Sequence, residues 1–328
     1  MTLLLSRDQV AQVLTMPACI DAVEGAFAAL ARGEADMPQR AVIKIPAHHG
    51  VFLGMPAFLG GQEECLGLKL VTVYPDNPSR HGLATTLGTL MLCDPQTGAV
   101  TAIMDAGFLT AVRTGAASGV ATRYLAREDA AVCTVFGAGV QARQQLIAVH
   151  HVRPLVRALV LDQDPAAAAA FASDLSARLD LPVEVSTDPA AAVRAADIVV
   201  TATSSPTPIL DGAWVRPGIH INNIGSHAPT TRELDTATVA KSYFVADLRE
   251  ANLAEAGDIL IPIAEGAVTA DHIRASLGEV VIGRKPGRTD ADQVTVFKSC
   301  GLAVQDVSTA RAVAAAARAA GIGTEVTL

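Results

Sequence analysis

AAVCTVFGAGVQA, residues 130–142, is the stretch that decides the fold. An apolar, β-branched run leads directly into Gly137-x-Gly139-x-x-Ala142, and the residues that follow, VQARQQLIAVHHV, have helical spacing. A strand that turns over glycines into a helix opens a dinucleotide-binding unit, because each small residue has its own task there. Gly137 permits the tight turn, Gly139 lets the backbone approach a pyrophosphate, and Ala142 allows close packing of the helix. The first N–H groups of that helix, around Val140 and Gln141, face the anion. The glycine pattern alone is a weak signal, and its context strengthens it. Asp162 ends the next strand-like run, RALVLDQD, 23 residues beyond Gly139. An acid there accepts hydrogen bonds from the adenosine ribose and repels a 2′-phosphate, so NAD is expected over NADP. Asp164 takes that part if the strand ends two residues later.

Downstream the same grammar continues. Strands read at VEVS (183–186), DIVVTATSS (197–205), GIHINNIG (218–225) and SYFVAD (242–247), separated by helical PAAAAAFASDLSARL (165–179) and PAAAVRAA (189–196). Strands alternating with helices predict a doubly wound parallel sheet. The loops at the strand ends open onto its ligand crevice. TATSSP brings Thr201 and Thr203, which either line the adenine side or form a plain turn. NNIGSH brings Asn222, Asn223, Ser226 and His227, and its polarity fits a loop that faces cofactor and substrate. Glu233, in TREL, reads as a helix-start acid.

Upstream the text differs in kind. The first 33 residues read as helices, with SRDQ (6–9) in capping-box form and TMPA (15–18) placing a capping Thr before a Pro. From Ala41 to about Asp105 come short consecutive strands, AVIKIP, GVFLGMPAF, CLGLKLVTVYP, TTLGTLMLCD and AVTAIMD, with CDPQTGAV as a hairpin turn. That spacing predicts a mostly antiparallel sheet. An Ala-rich helix, GFLTAVRTGAASGVATRYLA, leads on to the glycine turn. A second, VQDVSTARAVAAAARAAGIG, is placed to pack back on the N-terminal part. The predicted class is therefore α/β: a Rossmann doubly wound sheet over 121–304, plus an α+β N-terminal domain over 1–120 completed by the C-terminal helix within 305–328.

Composition bounds the function. A length of 328 residues fits two domains, and 50% hydrophobic with only 4% aromatic content means small side chains packing helices on a sheet. With 33 acidic against 25 basic residues and no basic block, a nucleic-acid partner is not expected. Five cysteines without a CxxC pair argue against a disulfide framework or zinc site, and the pairs His48–His49 and His150–His151 lack ligand partners at metal spacing. No apolar run nears the roughly 18 residues of a membrane span, and MTLLLSRDQV lacks a basic leader. The expectation is a cytoplasmic protein with no metal and no membrane partner.

Seven segments, in order, carry a family resemblance: PQR (Arg40), GMPAF (Met55), GLKLVTVYPDNP (Lys69), LTAVRTGAASGVATRYLA (Arg113, Thr114), VFGAGVQA, GSHAPTTREL and FKSCGLAVQD. Over nearly its whole length the chain resembles the ornithine cyclodeaminase/μ-crystallin family. The resemblance implies a homodimeric NAD(P)-dependent enzyme that moves a hydride at the α-carbon of a small amino or imino acid. Its N-terminal domain would hold the substrate and the dimer interface. By matching motif, Arg40, Met55, Lys69 and Arg113 are implied as substrate residues, and Thr114, Ser226 and Lys298 join the glycine turn, Asp162, Thr201 and Thr203 around the cofactor.

The chemistry suits these residue types. Guanidinium groups of Arg40 and Arg113 bind an α-carboxylate bidentately. Lys69, inside an apolar strand, has its pKa lowered by desolvation and neighbouring cations, which fits a proton donor or acceptor. On spacing alone each reads as a surface salt bridge or a snorkelling side chain. Cyclodeaminases of the family carry an aspartate where this sequence has His227, and an imidazole is a poor anchor for a distal ammonium. The expected reaction is therefore reduction of a 2-imino acid, Δ1-pyrroline-2-carboxylate or a related ketimine, with Lys69, His227 or a water giving the proton. Ornithine cyclodeamination, alanine dehydrogenation and non-catalytic, crystallin-like NAD(P)H binding are the alternatives.

Overall fold

Four residues that pair with a distant strand open the chain, where sequence spacing suggests only helices. β1 (Thr2–Leu5) lies parallel to residues 102–104, and a run this short shows no period of its own. The computed structural model describes residues 1–61 and 64–328. α1 (Arg7–Val13) starts with the Ser6–Gln9 capping box. α2 (Met16–Arg32) starts at Thr15, whose hydroxyl accepts the Ala18 N–H, and stops at Gly33 in the left-handed region. Then come β2 (Ala35–Asp36), β3 (Ala41–Ile45), β4 (Gly50–Leu59), β5 (Cys65–Val73), the short α3 (Asn77–His81), β6 (Thr86–Cys93), β7 (Val100–Asp105) and α4 (Gly107–Leu125). The tail returns as α12 (Ala303–Ala320) and β16 (Thr324–Val326). The hairpin at CDPQTGAV forms as expected, with the Asp94 carboxylate accepting the N–H groups of Gln96 and Thr97.

These strands make one sheet in the order β16-β1-β7-β6-β5-β4-β2, with β3 on β4. Pairing is antiparallel from β4 to β7. Alternation along β5 buries Cys65, Gly67, Lys69 and Val71 and leaves Leu66, Leu68 and Leu70 less covered. α12 packs on the buried face, where the Cys65 thiol donates to the Val307 carbonyl at 3.2 Å. Register sets Met55, Lys69, Leu90 and Met104 side by side on four neighbouring strands, and all four are buried. Lys69 is thus a cation in an otherwise apolar row.

Residues 1–113 with 302–328 form one compact unit, and residues 114–301 form the other. These limits lie seven and three residues ahead of the 120/121 and 304/305 expected from sequence, and the first falls inside α4, which runs uninterrupted through residues 113 and 114.

The second unit holds, in chain order, β8 (Val132–Phe136), α5 (Val140–Val152), β9 (Arg157–Leu161), α6 (Pro165–Leu179), β10 (Val183–Val185), α7 (Pro189–Ala195), β11 (Ile198–Thr201), β12 (His220–Asn223), α8 (Thr236–Ala240), β13 (Tyr243–Ala246), α9 (Arg249–Glu255), α10 (Gly257–Ala264), β14 (Ile273–Ser276), α11 (Leu277–Val281) and β15 (Thr295–Lys298). All pairs are parallel, in the order β10-β9-β8-β11-β12-β15-β13-β14. Strand order reverses beside β8, so the carboxyl ends of β8 and β11 flank the crevice where such sheets take ligands. β14 and β15 extend the series beyond residue 247, where sequence spacing ended it. β15 is TVFK, whose last two residues open the segment FKSCGLAVQD, and a four-residue run ending in Lys does not read as a buried central strand. Among the described residues no single helix is long and apolar enough to cross a membrane.

Candidate active site

The glycine turn has the shape of an anion cradle. Gly137 sits at φ +99, and a Cβ there would press on the Ala202 carbonyl at the end of β11. A Cβ on Gly139 would meet only open space, so the backbone at the head of α5 is accessible to a ligand. Gly139 caps α5 with no side chain, which leaves the first N–H groups, at Val140 and Gln141, without an internal cap. Ala142 is fully buried against the sheet, as its small size allows. Asp162 stands exposed just past β9, its carboxylate held by the Ala138 N–H at 2.7 Å and the Asp164 N–H at 2.9 Å. Asp164 turns instead to its own helix and caps α6 through the Ala166 N–H. These residues fit a dinucleotide: a pyrophosphate at the helix head and ribose hydroxyls at Asp162.

A buried carboxylate, Glu233, organises the neighbouring loops. It is not the helix-start acid its sequence context suggests, because α8 begins three residues later with Asp235 as its cap. One Glu233 oxygen accepts the Thr203 N–H and hydroxyl, both at 2.7 Å. The other accepts the Thr201 hydroxyl and the Gly225 N–H at 2.8 Å, and the Asn223 amide at 3.1 Å. Five donors from the ends of β11 and β12 thus converge on one side chain. Burial pushes its carboxyl pKa up, while Lys298 and the Thr203 N–H pull the other way. The hydroxyl hydrogens of Thr201 and Thr203 are therefore already engaged inside the protein.

Lys298 is fully buried. Its ammonium pairs with Asp258 at 3.0 Å and donates to the Ser226 carbonyl, while Asp258 accepts the N–H groups of Glu233 and Leu234. Lys298 so holds the loop after β12 rather than presenting its charge at a surface. Ser226 donates to the Thr231 carbonyl at 2.6 Å, closing the same loop. Asn222 and Asn223 belong to β12 itself and are buried, which corrects their reading as loop residues. Asn222 bonds to the Thr122 hydroxyl at 3.0 Å and accepts from the buried His220 ring. Burial and nearby Arg288 push the His220 pKa down to about 3, so that ring is neutral. His227 is the exposed member of the segment. Thr114, buried in α4, accepts from the Gln145 amide through its carbonyl at 3.1 Å.

The first unit gathers a second cluster. Asp306, on α12 and fully buried, contacts Lys69 at 2.7 Å through one oxygen and Arg113 Nε at 2.8 Å through the other. Gln305 accepts from Arg113 Nη1 at 2.9 Å. Desolvation, reinforced by the Arg113 and Arg40 charges, pulls the Lys69 pKa down to about 8, with Asp306 opposing it. Arg40, half-buried ahead of β3, is close enough to contribute to that field. Met55 lies across from Lys69 on β4. The structure thus brings together the four candidate substrate residues and adds Asp306, which sequence reasoning passed over although it closes the quoted FKSCGLAVQD. The signal lay in the chain, since a lone acid in the apolar stretch of an Ala-rich helix requires a cationic partner.

Comparison with known proteins identifies relatives along nearly the whole chain. The model of the ornithine cyclodeaminase/mu-crystallin family matches residues 1–321. A Δ1-pyrroline-2-carboxylate reductase of Thermococcus litoralis, solved with NADH and L-proline, is 44% identical with a TM-score of 0.95, covering 99% of this chain and 100% of that one. An archaeal alanine dehydrogenase dimer with bound NAD is 35% identical with a TM-score of 0.94, over 100% and 99% of the two chains. A Δ1-pyrroline-2-carboxylate reductase of Bacillus cereus is 38% identical over 88% of each chain.

Proposed function

The chain belongs to the ornithine cyclodeaminase/mu-crystallin family, and on that premise we propose that it reduces a small 2-imino acid, Δ1-pyrroline-2-carboxylate or a close ketimine, to the L-amino acid with NADH. The observation that carries the reading is the Lys69–Asp306–Arg113 cluster, a buried ammonium with a lowered pKa beside a guanidinium. When bound, the dinucleotide supplies the hydride that C2 of the C=N bond accepts. Arg113 and Arg40 hold the substrate carboxylate, and Met55 gives the ring an apolar neighbour. Asp306 and Gln305 engage two of the five donors of Arg113. The Lys69 ammonium has three hydrogens, one of which faces Asp306, and another passes to the imine nitrogen as its π-electrons take that proton. Lys69 ends neutral and is reprotonated from water. His227 is the second candidate donor, on the loop that Glu233 and Lys298 fix.

The test is the fall in absorbance at 340 nm when NADH meets Δ1-pyrroline-2-carboxylate, with pyruvate plus ammonia and L-ornithine plus NAD+ in parallel. Oxidation with the cyclic imine supports the reading. Ammonia release from ornithine, or turnover only with pyruvate, replaces it with cyclodeaminase or alanine dehydrogenase activity. Cofactor binding without turnover in any mixture favours a crystallin-like binder.

Cofactor choice follows from Asp162. NADPH would place a phosphate against this carboxylate and lose a charge-assisted hydrogen bond of about 1.5–3 kcal/mol, so NADPH should bind about 10- to 100-fold more weakly. Fluorescence titration measures both, and Asp162→Ser should narrow the gap. Equal affinities in the unaltered protein would remove Asp162 from the selection.

The protein is also proposed to work as a homodimer in the cytoplasm. Ile43, Phe52, Thr72 and Leu87 on one row, with Leu70, and Leu68 beside Met91, form a largely apolar sheet face opposite Lys69, and Ile43 and Leu87 are exposed in the chain. Sedimentation should give twice the chain mass, and Leu70→Lys should lower it. A monomer at micromolar concentration would contradict the proposal.

A further inference from the structure

Two cations of the first unit share one carboxylate, and the sharing has chemical content. Asp306 lies on the buried face of α12, with no exposure, and each of its oxygens meets a different cation. Lys69 comes from the central strand β5 and Arg113 from α4, so a single side chain sets the separation of two groups carried on different elements. Among the described residues, the remaining surroundings of the Lys69 ammonium add no second anion. Met55 and Leu90, its cross-strand neighbours, are apolar, Arg40 adds positive charge, and Gln305 is neutral and bound to Arg113. Cys19 of α2, near Asp306 and Arg113, stays a neutral thiol because burial pushes its pKa up to about 12.

We propose that Asp306 is a positioning residue that holds Lys69 as the ammonium, ready to give a proton, and fixes Arg113 at the spacing needed to present the substrate carboxylate. The proposal rests on the imine-reductase reading for its catalytic meaning, but the electrostatic core of it does not. An ammonium desolvated beside two guanidinium groups tends to lose its proton, and among the described residues Asp306 is the counter-charge in direct contact with it. Its loss should drive Lys69 toward the neutral amine, which accepts protons instead of giving them. Loss of Arg113 should do the reverse, because Asp306 then serves Lys69 alone.

The chain has five lysines, so Lys69 can be followed directly by NMR of protein labelled at the lysine ε-carbon, with Lys69→Ala assigning its signal. Titrations of the unaltered protein, Asp306→Asn and Arg113→Gln are compared with the pH dependence of kcat/KM for imine reduction by the same three proteins. In the unaltered protein the Lys69 signal should titrate near pH 8, and the rate should decline on the alkaline side of the same midpoint. Asp306→Asn should move both midpoints down by about one pH unit or more, and Arg113→Gln should move both up. A midpoint unmoved in Asp306→Asn, or moved in the same direction by both substitutions, overturns the proposal. If Asp306→Asn fails to fold, Arg113→Gln decides: a midpoint that stays or falls overturns it. NMR shifts in opposite directions, in a protein that reduces no imine, would uphold the charge sharing and retire the proposed reaction.

Discussion

Replacing Lys69 by alanine is expected to lower kcat for imine reduction by about 10²- to 10⁴-fold, the span associated with losing a positioned proton donor. NADH affinity should be largely kept, because the glycine cradle and Asp162 lie in the other unit of the chain. A second substitution separates proton transfer from charge. Lys69→Arg restores a cation beside Asp306, but a guanidinium does not give up its proton in proteins. If Lys69 acts by donating a proton, the arginine variant should be nearly as slow as the alanine one. Recovery of most of the rate with arginine would mean that only the positive charge matters. Unchanged turnover in Lys69→Ala would take Lys69 out of the mechanism.

Glu233→Ala is expected to cost about 3–5 kcal/mol of stability, as removal of the acceptor at the centre of a buried charged network does. Lys298 would lose one of its two nearby carboxylates, and five donors from Thr201, Thr203, Asn223 and Gly225 would face a void. For a unit of this size the melting temperature should fall by roughly 10 °C. Glu233→Gln is no remedy, since one end of the amide is itself a donor and would face donors. Binding of NADH should weaken in both variants, because the network ties together the loops after β11 and β12. Thermal scans with and without NADH measure both effects. A melting temperature within about 2 °C of the unaltered protein would show that the network contributes little.

Glu233 also shows where sequence reasoning stops. TREL offers an acid shortly before a helix, and local pattern assigns it to that helix. Its true role depends on two strand ends that are 22 residues apart in the chain and adjacent only once the sheet has formed. Asn222 and Asn223 fail for the same reason: two consecutive amides read as loop until Thr122 and Thr201 are known to lie within reach. By contrast, the Gly137–Ala142 turn was legible because its requirements are local. Strand, tight turn and helix head are all written within a dozen residues, and the capping box at Ser6 and the hairpin at Asp94 share that property. Lys69 was half legible. Its place inside an apolar strand is plain from its neighbours, but alternation along CLGLKLVTV sets Leu66, Leu68 and Leu70 on the opposite face, so its burial under α12 and its partnership with Asp306 emerge only from the fold.

The first unit is discontinuous, and that orders its assembly in time. As the chain emerges from a ribosome, residues 114–301 are complete, with β15 inserted between β12 and β13, while α12 is still unmade. Nascent domains tend to fold as units, so the dinucleotide fold can mature while the sheet bearing Lys69 still lacks its covering helix. Lys69 meets its counter-charge only after the whole dinucleotide unit has been synthesised. A chain stopped at residue 301 should therefore retain a folded dinucleotide unit, yet expose an uncovered apolar sheet that invites aggregation. Quality control of such a chain would read the sheet that residues 302–328 otherwise cover.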